Sequence, residues 1–460
     1  VKAGWNDASL DAFRLTGDPL ADRAVASLLQ GWEDPASHEA NLKALQQAFG
    51  GLRQLALNQD FNPLPETGPD SGPELGMMLA SCATPPAWAD LGKIERAEQL
   101  FRAGGVVSGI VFFCASLPEV YVVPDISTVL RATGNLEKLT DQRIRATSAM
   151  ILSVLLPGGL RKALGAGRPK VMKARFIHAV MRHLFLRASP ETLLADGGPA
   201  LVAPLADAVR SENVFRQALA HGWDPANAGV PCNQEEQAYT LLTFGFVYLR
   251  ALRRLGLGYA PADEEAYLHL WNVVGHMMGI DSGLMAHTMD EAAALFDRLQ
   301  QRARAKRLAE DPRPALGEAL VASIEKSIPR AVLKPAAALL VRYLSSDTTA
   351  RELALDKRYS TAARWLFGAG MGTIRLADAL VRQVRPKFSL VRFVLRIAGY
   401  RLVHTVLTDS RNPIDLPETT RHEVNLMLAE WSSDEHAPRW LNVFEDYFTT
   451  KGNWSESIGV

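Results

Sequence analysis

The chain has 460 residues, room for two domains or one large helical one, and 48% of them are apolar, which supports a sizeable core and excludes global disorder. Fifty Lys and Arg balance fifty Asp and Glu, so no net field draws nucleic acid or another polyanion. Three scattered cysteines, Cys82, Cys114 and Cys232, form neither a disulfide framework nor a Cys-x-x-Cys pair for a metal or a covalently attached cofactor.

Apolar residues recur at three- and four-residue spacing almost throughout, which predicts an all-α chain. Asp18-Pro19 opens an amphipathic helix over Leu20–Leu29, and residues 61–73 form a Pro/Gly-rich connector. The apolar run from Val106 to Leu117 is too short to span a bilayer and reads as a buried helix, with a break at Leu117-Pro118. Further breaks fall at Pro157-Gly158-Gly159 and from Gly165 to Pro169. Residues 188–232 are a polar, Gly- and Pro-bearing elaboration. Gln234 to Leu255 follows as one helix ended by Gly256, then Asp263 caps Glu264 to Met278, closed by Gly279. Glu291–Leu308 and most of the remainder are again helical. Basic stretches lie at 298–307 and 375–401, and Arg375–Lys387 reads as a solvated helix face, with a membrane or polyanion surface as the alternative. No repeat of fixed period appears, so the expected architecture is one large helical domain over 1–460, with a core at 15–300 and a C-terminal helical extension at 301–460. No apolar leader is visible at Val1-Lys2-Ala3.

Three constellations could carry chemistry. His178 and Arg182 share a helix face, and His178 lies among Phe176, Ile177, Ala179 and Val180. An imidazole in such a setting suits a haem iron, and equally suits a core histidine bonded to a carbonyl. His183, five residues on, points elsewhere. Arg143 and Thr147 share a face at one-turn spacing and could polarise a small molecule in an apolar pocket, unless Thr147 merely bonds back to its own helix. His269 and His276 line one face two turns apart, too distant for a single ion, so packing is the simpler role. Nucleotide-binding loops, zinc-protease motifs, serine-hydrolase elbows and paired Glu-x-x-His motifs are missing.

Taken in order, the residues resemble the rubber oxygenase (latex clearing protein) catalytic-domain family, which includes the farnesyl-cleaving oxygenases of mycophenolic acid biosynthesis. The matching line runs from Gly17-Asp-Pro-Leu-Ala-Asp22 through Ser116-Leu-Pro-Glu119-Val-Tyr121, Arg131-Ala-Thr-Gly134 and Arg143-x-x-x-Thr147. It continues with Arg175-x-x-His178-Ala-x-x-Arg182-His183, Gly229-Val-Pro231 and Ala266-Tyr-Leu-His269-x-Trp271-x-Val-Val-Gly275. The resemblance implies a globin-like helical core with additional N- and C-terminal helices, holding haem b on His178. Arg182, His183, His269 and His276 would lie near the haem, and Arg143 and Thr147 on its distal side. It further implies O₂-dependent cleavage of double bonds in an apolar isoprenoid to aldehyde and ketone, with Glu119, or Asp125 behind it, as base. Family members that cleave rubber carry Lys before the distal Thr, whereas this chain has Ala146. That departure weakens a polymer substrate, for which secretion would be expected, and leaves peroxygenase-like turnover or a non-catalytic binding role as alternatives.

Overall fold

The computed structural model describes residues 5–449, apart from 33, 58–72, 134–135, 163–164, 196–199, 206–212, 307–309, 327, 329–333, 409–417 and 432–435. Among these the chain is all-α, and the only β-type pairing is an isolated bridge between Val202 and Trp223. The expected connector lies outside the described residues except for Pro73, which opens a helix, and so does Gly134.

Helix α1 is Pro19–Ala26, capped by Asp18, whose side chain accepts from the Ala21 N–H; turns replace it before Leu29. Asp90 caps α2, Leu91–Gly104, by accepting from the Gly92 and Lys93 N–H groups. Helix α3 is the buried apolar run. It begins as Val106–Val111, widens to a π-helical turn at Phe112–Ser116 and resumes as Leu117–Tyr121. The expected break at Pro118 is therefore a change of helix type. Proline offers no N–H to the Cys114 carbonyl one turn earlier, and the Ser345 hydroxyl donates to that carbonyl instead, at 3.4 Å.

After α4, Pro124–Ala132, come α5, Leu136–Leu155, and α6, Gly167–Leu186, joined across residues 156–166 by a turn that starts at Pro157. The turn is tight enough that a Cβ on Gly159 would lie 2.0 Å from the Ser153 carbonyl oxygen.

Helix α7 departs from the expected uninterrupted helix. It is Gln234–Leu242, then π-helical over Thr243–Val247, then Tyr248–Leu255, where Gly256 stops it at φ 76°. The two π turns sit side by side: the Ser116 hydroxyl donates to the Thr243 carbonyl at 2.7 Å, and Phe112 stacks on Tyr248 at 4.9 Å. Helix α8, Pro261–Met277, starts three residues earlier than the sequence predicts. Its N-cap is Ala260, and Asp263 in the first turn grips Arg96 at 2.6 and 2.9 Å instead of capping. Thr288 caps α9, Met289–Ala305. Helices α10 (Thr361–Val384), α11 (Leu390–Thr408) and α12 (Arg439–Thr449) follow near the C-terminus.

One apolar core runs from Trp5 to Trp431 and includes Phe101, Val111, Val274, Leu316, Val341 and Leu395, so the C-terminal helices share it with the rest of the chain. A second core gathers Val25, Phe176, Phe185, Leu219 and Trp223. The 188–232 elaboration is thus more than a surface loop, since Trp223 meets Phe185 edge-on at 5.1 Å. Helix α6 belongs to both cores, through Val171 in the first and Phe176 and Val180 in the second.

Candidate functional site

The site is built on α6, and α1 fixes where α6 lies. Asp18 and Asp22 are one turn apart on α1, and Arg175 and Arg182 are two turns apart on α6. Arg175 donates to Asp18 through Nε and Nη2, the latter at 2.9 Å, and Arg182 Nε donates to Asp22 at 2.7 Å. All four side chains are buried. Burial works against the Arg175 charge, but the hydrogen bonds it donates to Asp18 and the proximity of Cys82 hold its pKa above the ordinary value. Two glycines make room for these pairs. A Cβ on Gly17 would meet Asp22 at 2.3 Å, and one on Gly279 would meet Asp18 at 2.3 Å.

His178 stands between the two pinned arginines. Its Nδ1 lies 3.3 Å from Gln237 Oε1 on α7, and the Gln237 amide nitrogen donates to the Cys232 carbonyl at 2.9 Å. Because that amide nitrogen is committed, Oε1 is free only to accept, so the His178 proton belongs on Nδ1 and the lone pair on Nε2. No described residue bonds Nε2. Burial, then the nearby Arg182 charge, pushes the His178 pKa down to about 4, against a smaller upward pull from Gln237. The ring is therefore neutral at physiological pH, oriented, and presents a free nitrogen lone pair.

Arg143 and Thr147 lie on α5, which packs against α6. Arg143 Nη2 donates to the Thr133 hydroxyl, while Nη1 is buried without a partner. No carboxylate among the described residues pairs with this guanidinium, and burial lowers its pKa. The residue as a whole is only partly buried, and Nη1 is the atom kept from solvent without a partner. The Thr147 hydroxyl has no bond to a carbonyl, unlike Thr128, Thr133 and Thr240, which bond back along their helices. The alternative of a self-bonded Thr147 is thereby removed. Thr147 and Met150 on α5, and Ala174 and Ile177 on α6, stay only partly buried at helical spacing, leaving one accessible stripe on each helix.

The other expected site residues go elsewhere. Arg182 is consumed by Asp22 and the Cys232 carbonyl. His183 faces the second core, 6.0 Å from the Trp32 ring, with Nδ1 unpartnered. His269 and His276 do share a face, but they flank the indole of Trp88 edge-on at 5.7 and 5.6 Å, and His276 is exposed. His269 Nε2 also accepts the Asp90 N–H at 2.8 Å. These two thus hold Trp88 between them. Glu119 accepts from Arg250, Gln300 and Thr349, which ties α3 to α7, α9 and the later helices. Asp125 is paired with Lys306 and with Arg14 at 3.6 Å. With both carboxylates held by cations, neither is carried forward as a base.

Burial pushes the His183 pKa down to about 4 from an ordinary 6.5. The unfolded chain therefore takes up this proton first as pH falls, so stability that is complete above about pH 6.5 drains away towards pH 4. Thermal melts of His183→Phe should lose part of that acid slope; an unaltered slope would remove His183 as its source.

Sequence reasoning missed Gln237, Asp18 and Asp22 as site-forming residues. The aspartates carried a usable signal, because their one-turn spacing answers two arginines on one face of α6. Gln237 carried none, being 59 residues from its partner.

Against known proteins, residues 205–376 match the family described as ER-bound oxygenase mpaB/B'/Rubber oxygenase, catalytic domain. The chain is 25% identical over 346 residues to a rubber oxygenase of Streptomyces sp. (strain K30), an alignment covering 73% of each. A solved structure of latex clearing protein LCP in the closed state shares the fold, with a TM-score of 0.63 over 88% of this chain and 95% of that one, at 19% identity.

Proposed function

The chain matches the rubber oxygenase and latex clearing protein catalytic-domain family by signature, sequence and fold, and from that premise we propose a haem b-dependent oxygenase that cleaves carbon–carbon double bonds of an apolar isoprenoid. The signature begins at residue 205, so the ligand assignment rests on the local geometry of His178. One observation carries it: a neutral imidazole with Nδ1 committed to Gln237 and Nε2 open. Histidine ligands to iron are held in this way, the second nitrogen fixing tautomer and ring orientation. A globin-like arrangement of the helical core belongs to the same reading and is supported by the resemblance.

The residues fit the group. His178 would hold the iron, and Ala174, one turn away on the same face, is small enough for a flat macrocycle to approach. Bound haem supplies a redox-active iron at which O₂ is activated. Arg143 contributes a partly desolvated cation whose free Nη1 can donate to an oxygen that gains charge. Thr147 contributes a hydroxyl not spent on its own helix. Met150 and Ile177 present apolar surface that orients an alkene and keeps water away. Both atoms of O₂ enter the products, one as ketone and one as aldehyde, so no external reductant is needed. Ala146 is exposed and brings no cation to the distal side, which favours a smaller terpenoid over polymer.

The test is absorbance followed by product analysis. Protein supplied with haem should show a Soret band and convert squalene with O₂ to carbonyl fragments. A well-folded protein without that band would sink the reading, and turnover only with H₂O₂ would replace it by peroxygenase chemistry. Gln237→Leu should weaken haem retention about 10- to 100-fold. Arg143→Ala should keep haem and lose about 10²- to 10³-fold in turnover.

A further inference from the structure

Helix α10 has apolar residues on both of its faces. Phe367 and Ile374 pack on the main core and Met371 is buried, while Trp365, Leu366, Leu376, Leu380 and Val384 point outward and are 57–84% exposed. At about 100° per residue, Trp365, Ala369, Leu376 and Leu380 fall within an arc of about 60°, and the stripe from Trp365 to Val384 is about 29 Å long. Scattered exposed apolar residues need no explanation, but a continuous stripe of this length marks a contact surface.

Charge says what kind. Arg364, Arg375 and Arg382 are spaced by eleven and seven residues, close to three and two full turns, so they form a row along one edge of the stripe. Exposed Arg385 and Lys387 follow the helix. Its one carboxylate, Asp378, is buried and engaged by Ser389 at 2.8 Å and Arg382 at 2.9 Å. The exposed face thus combines apolar surface with positive charge and no negative charge.

We propose that α10 is an interfacial helix that seats this protein on an anionic lipid surface. A second copy would bring like-charged arginine rows together, and a neutral apolar particle would leave the row unused. A bilayer bearing anionic headgroups satisfies both features of the helix. Among the described residues no single helix is long and apolar enough to cross a membrane, which fits lying on one. Helix α12, seated on α11 as α10 is, exposes Trp440, Val443 and Phe444 at three- and four-residue spacing.

Flotation of the full chain with phosphatidylcholine vesicles, with and without phosphatidylserine, tests this. Wild type should float with the anionic vesicles, less so at high salt, and not with phosphatidylcholine alone. Leu376→Ser with Leu380→Ser should lower partitioning at least about tenfold, and Arg364→Gln with Arg375→Gln about twentyfold. Leu201→Ser, exposed but outside α10, should change nothing, and circular dichroism should show every variant folded. The proposal is overturned by absence of flotation, by equal flotation on both vesicles, or by variants that float like wild type. Binding to a polyisoprene emulsion without vesicle binding also overturns it, as does a change of oligomeric state in place of vesicle binding. Partitioning is read without haem or turnover, so the result is independent of the oxygenase reading.

Discussion

His178→Gly should yield a protein with its helical far-ultraviolet signal intact and no retained haem, and added imidazole should bring the Soret band back. The helix survives because its position does not depend on this side chain: α6 is pinned by the Asp18–Arg175 and Asp22–Arg182 pairs and by its apolar faces in two cores. Glycine inside a helix costs about 1 kcal/mol, small against those contacts. What is lost is the only nitrogen lone pair that Gln237 holds in place. Free imidazole can enter the vacated space, accept the orientation set by Gln237 Oε1 and ligate in place of the side chain. Absorbance titration of haem into the variant, with and without imidazole, reads both halves. Stoichiometric haem in the variant without imidazole would remove His178 as ligand. Loss of haem together with helical signal would show a structural role instead.

Asp22→Ala should cost about 3–5 kcal/mol of stability, a large fraction of the total expected for a globular protein. Arg182 is fully buried, and its Nη2 already has no partner, so removing Asp22 strands a charge with little else to compensate it. The Cys232 carbonyl, at 2.9 Å from Nη1, cannot replace a carboxylate. Burial raises the Asp22 pKa and Arg182 works against that rise, so the pair is finely balanced even in the native protein. Urea unfolding measures the loss. Asp22→Leu with Arg182→Met should recover most of it, because an apolar pair of similar volume leaves no stranded charge. A loss under about 1 kcal/mol in Asp22→Ala would show that water reaches Arg182 and that the pair is not what fixes α6.

The helices were legible in the sequence because their apolar spacing is dictated by burial on one side, as in α1, α8 and α9. Helix ends were less so: Pro261 starts α8 ahead of the better capping residue, Asp263, because Arg96 claims that carboxylate. The π turns left no trace in the pattern, since Phe112–Ser116 and Thr243–Val247 are buried on every side. Within the site, the shared faces of Arg143 with Thr147 and of His269 with His276 followed from spacing alone. Their partners did not. Trp88 turns the second pair outward, and Arg250 withdraws Glu119, both through contacts more than a hundred residues apart in sequence.

The paired π turns have a consequence for how this chain can lengthen or shorten. Each holds one residue more than an α-helix of the same rise, so losing a residue from Thr243–Val247 would restore plain α-helix and leave both flanks in phase. Losing one elsewhere in α7 rotates everything beyond it by about 100°. Arg250 would then swing off Glu119 and Arg253 off Glu264, to which it now donates at 2.6 Å. Single-residue length changes among relatives can therefore be absorbed at the widened turns, while the arginine-bearing end of α7 has a fixed count.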